Sequence, residues 1–335
     1  MLIIVAILVL MVLVTIHEFG HYIAAKACGV PVLEFAVGMG PAILKKQGKE
    51  TLYSLRILPI GGYCKLEGED TPSDDANEFG SKAPWKRLIV LAAGSIMNII
   101  TGFIIISIIY SSIQEIAIPV VDTFLENSPA QAAGLEVGDR IISVNGNSVN
   151  TFIDLNFELS RTKGNECTVV YKRDGIKLSA NIIPMPYEER YLLGFNSARE
   201  LLTPLSSIKY AYYEVVSIGK SMFKLPVYMI EGMVTKDDIS GPVGIVNTIG
   251  DAAKAENKMS LLGLAAFISV NLGFFNIFPF PALDGGRIIF VFVEMVRRKK
   301  ISAEKEGIVH FIGFALLILL VIFTTTNDIM KIVGS

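Results

Sequence analysis

The stretch HEFGH at residues 17–21 lies inside an apolar run from residue 1 to about residue 27, in which Glu18 and Lys26 are the only charged residues. Its H-E-x-x-H spacing is a zinc-binding motif, because residues four apart share one face of a helix and both imidazoles can reach one ion. About 20 apolar residues span a bilayer as a helix, and a charge at that depth is costly enough to indicate a functional site. A chance match is the alternative, but polar side chains in hydrocarbon each need a partner. The stretch therefore predicts a transmembrane helix over residues 1–28 that contains a metal site.

The composition indicates a polytopic α-helical membrane protein with a water-exposed part. Hydrophobic residues make up 52% of the 335 residues and charged residues 19%, and the mean hydropathy is +0.52. The net charge of -2 provides no basic surface for nucleic acid, so partners of that class are excluded. The three cysteines are isolated from one another, so we expect neither a disulfide framework nor a thiolate zinc site.

Basic residues set the predicted orientation in the membrane. They are concentrated between the first and second apolar stretches and between the third and fourth, and the positive-inside rule places such loops in the cytoplasm. The long segment between the second and third stretches is then extracytoplasmic, and the protein is expected in the plasma membrane. The four predicted transmembrane segments are residues 1–28, 87–114, 259–296 and 307–326.

The predicted cytoplasmic loop at residues 29–86 has the pattern of a β-hairpin. Alternating runs at residues 33–37 and 51–57 are bounded by glycines and prolines, which is typical of strands joined by turns. Such a hairpin either stays in the cytoplasm or dips toward the metal site where protein covers its polar groups. The pattern alone favours neither position.

Residues 115–198 are predicted to form a small α/β module. Ser-Pro-Ala at 128–130, Gly-Leu-Glu-Val-Gly-Asp at 134–139 and Asn-Gly at 145–146 occur in the order that resembles a bacterial PDZ domain. PDZ domains bind extended peptide ends by adding a strand to a sheet edge, and a plain spacer domain is the alternative. In the PDZ interpretation the peptide groove is formed by Leu192, Leu193, Gly194 and Phe195. Residues 199–258 are predicted to be an interfacial helical linker.

A third metal ligand is expected, because catalytic zinc usually has three protein ligands and an open position. Asp284 follows the proline-rich segment at residues 276–283 inside the third apolar stretch, whereas His310 begins the fourth. Prolines and glycines there would interrupt the helix, and membrane proteins have such interrupted helices at functional sites. By the helical rise, Asp284 would also lie within roughly 20 Å of the cytoplasmic basic cluster. Asp284 is therefore a stronger candidate than His310.

The HEFGH motif, Leu-Asp-Gly at 283–285 and the PDZ-like insertion together resemble the site-2 protease family of intramembrane zinc metalloproteases, of the bacterial RseP/RasP type. The resemblance covers nearly the whole chain and includes the family's glycine–asparagine motif at residues 94–98. It implies one Zn²⁺ per chain bound by His17, His21 and Asp284, with Glu18 as general base. It also implies a membrane re-entrant hairpin and a broken third span whose substrate-binding residues are Asn271, Asn276, Pro279, Pro281, Gly61, Gly62 and Tyr63.

The implied reaction is hydrolysis of a peptide bond in or near the transmembrane segment of a single-pass membrane protein. Implied substrates are already cleaved by another protease, as with membrane-bound anti-sigma factors or remnant signal peptides, and the PDZ-like module would bind peptide ends or exclude large substrates. The alternative from another class is a metal transporter or membrane PDZ scaffold without enzymatic activity. A transporter would not need Glu18 beside the metal, and the chain has no histidine-rich loop.

Overall fold

The computed structural model describes residues 2–69, 75–188, 190–232, 234, 239–254 and 259–334. They fall into two compact units: a helical unit of residues 1–105 and 218–335, and an α/β unit of residues 106–217. Parts of the predicted cytoplasmic loop and of the predicted linker lie outside the described residues. The helices are α1 Leu2–Cys28, α2 Pro84–Ser112, α3 Pro129–Ala132, α4 Phe152–Arg161, α5 Pro204–Ile230, α6 Pro242–Lys254, α7 Met259–Ile277, α8 Asp284–Arg297 and α9 Ala303–Gly334. The strands are β1 Val32–Gln47, β2 Leu52–Leu66, β3 Glu115–Phe124, β4 Arg140–Val144, β5 Asn147–Ser148, β6 Cys167–Arg173, β7 Ile176–Ile182, β8 Met185–Tyr187, β9 Arg190–Leu192 and β10 Phe195–Leu201.

Among the described residues, four helices are long and apolar enough to cross a membrane, as many as the predicted transmembrane segments. Within the third predicted segment, residues 259–296, helix α7 ends at Ile277, and the residue that precedes Pro279 is disfavoured in helical geometry. Helix α8 follows as a separate amphipathic helix with a buried ion pair between Glu294 and Arg87, 2.5 Å apart. The four candidate spans are Ile3–Cys28, Pro84–Ser112, Met259–Ile277 and Glu304–Lys331.

Close helix contacts at glycines bring α2 against α1 and α7. A Cβ atom at Gly20 of α1 would lie 2.4 Å from the carbonyl oxygen of Ala93, and one at Gly273 of α7 would lie 2.7 Å from that of Ser95. Small residues allow membrane helices to approach in this way. Helix α6, within the predicted linker, packs against α1, α7 and α9.

Strands β1 and β2 form an antiparallel pair next to α1, with Phe35 opposite Cys64. Both strands bend, so that Phe35 also lies beside Tyr53. The bend in β1 falls at Gly38, where φ is 82° and a Cβ atom would lie 2.6 Å from the carbonyl oxygen of Leu58, so only glycine fits. Beyond the bend, exposed apolar side chains cover the hairpin: Met39, Ile43, Leu44, Ile57 and Leu58.

The α/β unit is built on a sheet with the strand order β10-β3-β4-β6-β7. Helix α4 covers its core and begins with a capping box between Thr151 and Asp154. Leu193 is buried between β9 and β10, and its carbonyl oxygen accepts a hydrogen bond from the backbone N–H of Ala130. The core consists mainly of Val121, Ile141, Val144, Leu155, Leu159, Val169 and Ile182.

An ion pair between a partly exposed arginine and a buried carboxylate stabilises this unit. Arg173 donates to both carboxylate oxygens of Asp139, at 2.8 and 2.7 Å, and to the carbonyl oxygen of Gly134. Burial raises the pKa of Asp139, but the hydrogen bonds and positive charge of Arg173 outweigh burial and hold that pKa below its ordinary value. A carboxylate with a lowered pKa stabilises the folded state above its unfolded pKa of about 4, and this contribution is lost as the pH falls.

We expect Arg173→Met to destabilise the α/β unit by about 3 kcal/mol at pH 7, because the Asp139 carboxylate would stay buried without its charged partner. Hydrogen exchange of β4 and β6 in the full-length protein would measure the loss, and the difference from wild type should shrink below about pH 4. Arg199→Met is the matched control, since Arg199 and Glu115 form an exposed pair of the kind that contributes about 0–1 kcal/mol. Equal effects of the two substitutions would contradict the assignment.

Candidate active site

The two histidines of the HEFGH stretch face each other from successive turns of α1. Their Nε2 atoms are 3.2 Å apart, and the residue His17 is only 7% exposed. The four-residue spacing places both rings on one face of the helix. A pair of imidazole nitrogens is thus available to a single ion.

Asp284 lies against this pair from the first residue of α8. Its Oδ2 atom is 3.1 Å from His17 Nε2 and 3.3 Å from His21 Nε2, and the three ligand atoms lie within 4.8 Å of one another. Oδ2 is buried and has no hydrogen-bond donor in the part of the chain that the structure describes. Atoms bound at about 2.0–2.1 Å to a tetrahedral zinc lie about 3.3 Å apart, so two imidazoles and this carboxylate fit that ion.

Helix α2 supplies the surroundings of the histidine pair. The Nδ1 atom of His21 is 2.8 Å from the carbonyl oxygen of Val90, so Nδ1–H donates there and the Nε2 lone pair stays free for a metal. A Cβ atom at Gly94 would lie 2.4 Å from His21 Nε2 and 2.8 Å from His17 Nε2. Glycine at this position therefore makes room for both rings.

Asn98 provides the corresponding partner for His17. This fully buried residue lies with its amide nitrogen 3.4 Å from His17 Nδ1, while its amide oxygen has no hydrogen-bond partner among the described residues. With the amide rotated by half a turn, the oxygen accepts the proton of Nδ1 and fixes the tautomer in which Nε2 binds metal. The sequence placed Asn98 in a motif without assigning it this role.

Glu18 shares one cavity of about 400 Å³ with the three candidate ligands. Strand β2 forms a wall of that cavity through Tyr63, Cys64 and neighbouring residues, and a Cβ atom at Gly62 would lie 3.6 Å from Glu18 Cγ. The carboxylate of Glu18 is thus held next to the candidate metal site.

The predicted substrate-binding residues divide into two groups. Tyr63 lines the cavity. A Cβ atom at Gly62 would lie 3.6 Å from Glu18 Cγ, and one at Gly61 would lie 3.2 Å from Met39 Sδ. Asn271 donates to the carbonyl oxygen of Phe267 in its own helix, 2.8 Å away. The other predicted residues do not line the cavity: Gly61, Gly62, Asn271, Asn276, Pro279 and Pro281.

Comparison with known proteins assigns the family. A model of peptidase family M50 matches residues 5–320. The chain belongs to peptidase family M50, the site-2 protease family. A protein of Clostridium acetobutylicum named as a zinc metalloprotease is 39% identical, with 98% of this chain and 97% of that protein covered. Zinc metalloprotease RasP of Shouchella clausii is 33% identical over 96% of this chain and 97% of its own length. Regulator of sigma-W protease RasP of Bacillus subtilis is 30% identical over 96% of each.

Membership of this family confirms the predicted enzyme class and metal. The chain is a membrane-embedded zinc metalloprotease, and neither a metal transporter nor a non-enzymatic scaffold is favoured. Zinc is the cofactor, in agreement with the donor set of two imidazoles and one carboxylate.

Proposed function

We propose that this protease cleaves transmembrane segments of single-pass membrane proteins, with zinc bound by His17, His21 and Asp284. The observation that carries the proposal is the convergence of these ligand atoms with Glu18 in one cavity next to an apolar helix of membrane-spanning length. A charged side chain is costly in hydrocarbon unless it has a partner. In this cavity the histidines and the two carboxylates are partners for one another.

The chemistry divides between the metal and the protein. Bound zinc supplies Lewis acidity to water and to the scissile carbonyl. Glu18 accepts a proton from the attacking water and delivers it to the leaving amine. Val90 and Asn98 hold the two imidazoles in the tautomer that keeps Nε2 available.

A transmembrane substrate must unwind before it reacts, because the carbonyl groups of a helix are hydrogen-bonded internally. The β2 segment at residues 62–66 pairs with β1 on one side and, at residues 63–66, lines the cavity. An extended substrate can add to such an edge as a further strand. Gly62 and Tyr63 of this edge, with the preceding Gly61, would contact the substrate, and the exposed apolar end of the hairpin suits contact with lipid.

The interrupted third segment would bind the other side of the unwound substrate. Asn276 makes no hydrogen bond through its side chain to any described residue, and Pro279 is exposed, so both are available to an incoming chain. Asn271 and Pro281 complete this proposed substrate contact.

The α/β unit would select substrates as a PDZ-type domain on the extracytoplasmic side of the plasma membrane. Strand β10 follows the turn at Gly194 and pairs with β3 on one side, which leaves an edge for a peptide end next to Leu192, Leu193 and Phe195. The Bacillus subtilis relative is named as a regulator of sigma-W. We therefore propose substrates such as anti-sigma factors or remnant signal peptides that another protease has already shortened.

Membrane peptides from cells that produce wild-type or Glu18→Gln protein test the substrate class. Wild-type cells should contain fragments that end inside apolar segments of single-pass proteins, whereas Glu18→Gln cells should accumulate the uncut stubs. Quantitative mass spectrometry of isolated membranes would measure both. Identical fragment ends in the two strains would contradict the proposed substrates, since loss of the general base leaves the rest of the protein unchanged.

A further inference from the structure

His310, the weaker candidate for the third ligand, lies on α9 outside the cluster formed by His17, His21 and Asp284. Its Nδ1 atom accepts a hydrogen bond of 2.9 Å from the backbone N–H of Ala282, two residues before Asp284. An acceptor at Nδ1 fixes the neutral tautomer with the proton on Nε2. The ring is held in place by Phe290, with ring centroids 5.6 Å apart, and its Nε2 atom is 3.8 Å from Glu306.

Ala282 has a backbone conformation that requires outside support. Its φ is 76°, a left-handed geometry that a residue with a Cβ atom adopts only at a cost. The conformation turns the chain between Pro281 and Leu283, so that α8 begins at Asp284 with the carboxylate toward the histidines. A different conformation at Ala282 would redirect Asp284.

Helix α9 makes a second contact with the Ala282 turn, through Gly313, about one helical turn after His310. A Cβ atom at Gly313 would lie 2.4 Å from Pro281 Cβ and 2.5 Å from the carbonyl oxygen of Pro281. Because His310 and Gly313 are three residues apart, they share one face of α9. That face therefore holds the turn by close packing at Pro281 and by a hydrogen bond at Ala282.

We infer that His310 is a positioning residue for the metal centre: its Nδ1 atom holds the Ala282 turn in the conformation that presents Asp284 to zinc. The inference rests on the proposed metal ligands. It differs from ligation, because His310 acts through a backbone N–H and contributes no atom to the metal. A packing role alone would require only the size of the ring, whereas this role requires a hydrogen-bond acceptor at the Nδ1 position.

Three substitutions separate these roles. His310→Asn keeps an acceptor close to the Nδ1 position, His310→Leu has a similar branched shape without one, and His310→Gln places its amide near the Nε2 position instead. In the purified full-length protein, zinc affinity measured against a competing chelator should fall roughly 10–100-fold in His310→Leu and in His310→Gln, as for loss of other groups that orient metal ligands. His310→Asn should stay close to wild type. The d–d absorption of the Co²⁺-substituted protein should shift in the same two variants only.

Controls separate failure of this inference from failure of the proposed function. Phe311→Leu changes the neighbouring exposed residue of α9 and should change neither zinc affinity nor the Co²⁺ spectrum. Wild-type affinity and spectrum in His310→Leu would overturn the positioning role while leaving the ligand set intact. Equal losses in His310→Asn and His310→Gln would overturn it as well, even where His310→Leu fails to fold. A wild-type chain that binds no zinc at all would overturn both proposals.

Discussion

Glu18→Gln is expected to lower peptide cleavage by roughly 10²–10⁴-fold while the protein keeps its full zinc content. Glutamine has nearly the same shape as glutamate, but its amide cannot take a proton from the attacking water. The three candidate ligands lie on other side chains, and α2 continues to orient both imidazoles. Cleavage of a transmembrane substrate in detergent, together with metal analysis of the same preparation, measures both quantities.

A substitution one turn earlier in α1 serves as the control. Thr15 donates a hydrogen bond to the carbonyl oxygen of Met11 and takes no part in the cavity, so Thr15→Val should cleave substrate at the wild-type rate. Full cleavage by Glu18→Gln would remove Glu18 from the reaction. Loss of zinc in that variant would instead show that Glu18 supports the metal itself.

Local spacing explains why part of the site could be predicted from the sequence. His17 and His21 share a face as soon as α1 forms, and a helix is the only regular structure available to an isolated apolar segment in lipid. The interruption before Asp284 is also local, since Pro279 and Pro281 cannot continue a helix. That Asp284 meets α1 depends on packing between distant segments, so the sequence could only rank it above His310.

Other parts of the site have no signal in a single sequence. The partner of His21 is the backbone carbonyl of Val90, which any residue could provide. The role of Gly94 depends on how closely α2 approaches α1, and the contact of His310 depends on the left-handed turn at Ala282. The hairpin pattern was recognisable, but the position of the end of β2, which pairs with β1 before Gly38 and lines the cavity, depends on the three-dimensional path of both strands.

Asp284→Asn is expected to weaken zinc binding by more than the roughly 10–100-fold that we expect for His310→Leu, because it neutralises a ligand atom instead of misdirecting it. The buried Oδ2 atom lies 3.1 and 3.3 Å from the two imidazole nitrogens, where a carboxylate provides the only negative charge within the proposed ligand set. An amide oxygen keeps the shape but loses that charge. Zinc retained after dialysis against a chelator measures the effect, and cleavage should be lost in parallel.

Asp328→Asn is the matched control for this substitution. Asp328 is a buried aspartate of the helical unit, and it accepts hydrogen bonds from the backbone N–H groups of Gly241 and Gly244 at the start of α6. Its replacement should lower thermal stability, because an anion at a helix N-terminus is stabilising, while zinc affinity stays at the wild-type value. If Asp284→Asn behaved in the same way, with lower stability and unchanged zinc, Asp284 would be a structural residue and the third ligand would have to be sought elsewhere. If only Asp284→Asn loses zinc, the carboxylate that begins α8 binds the metal. The break in the third segment then positions Asp284 beside the two histidines.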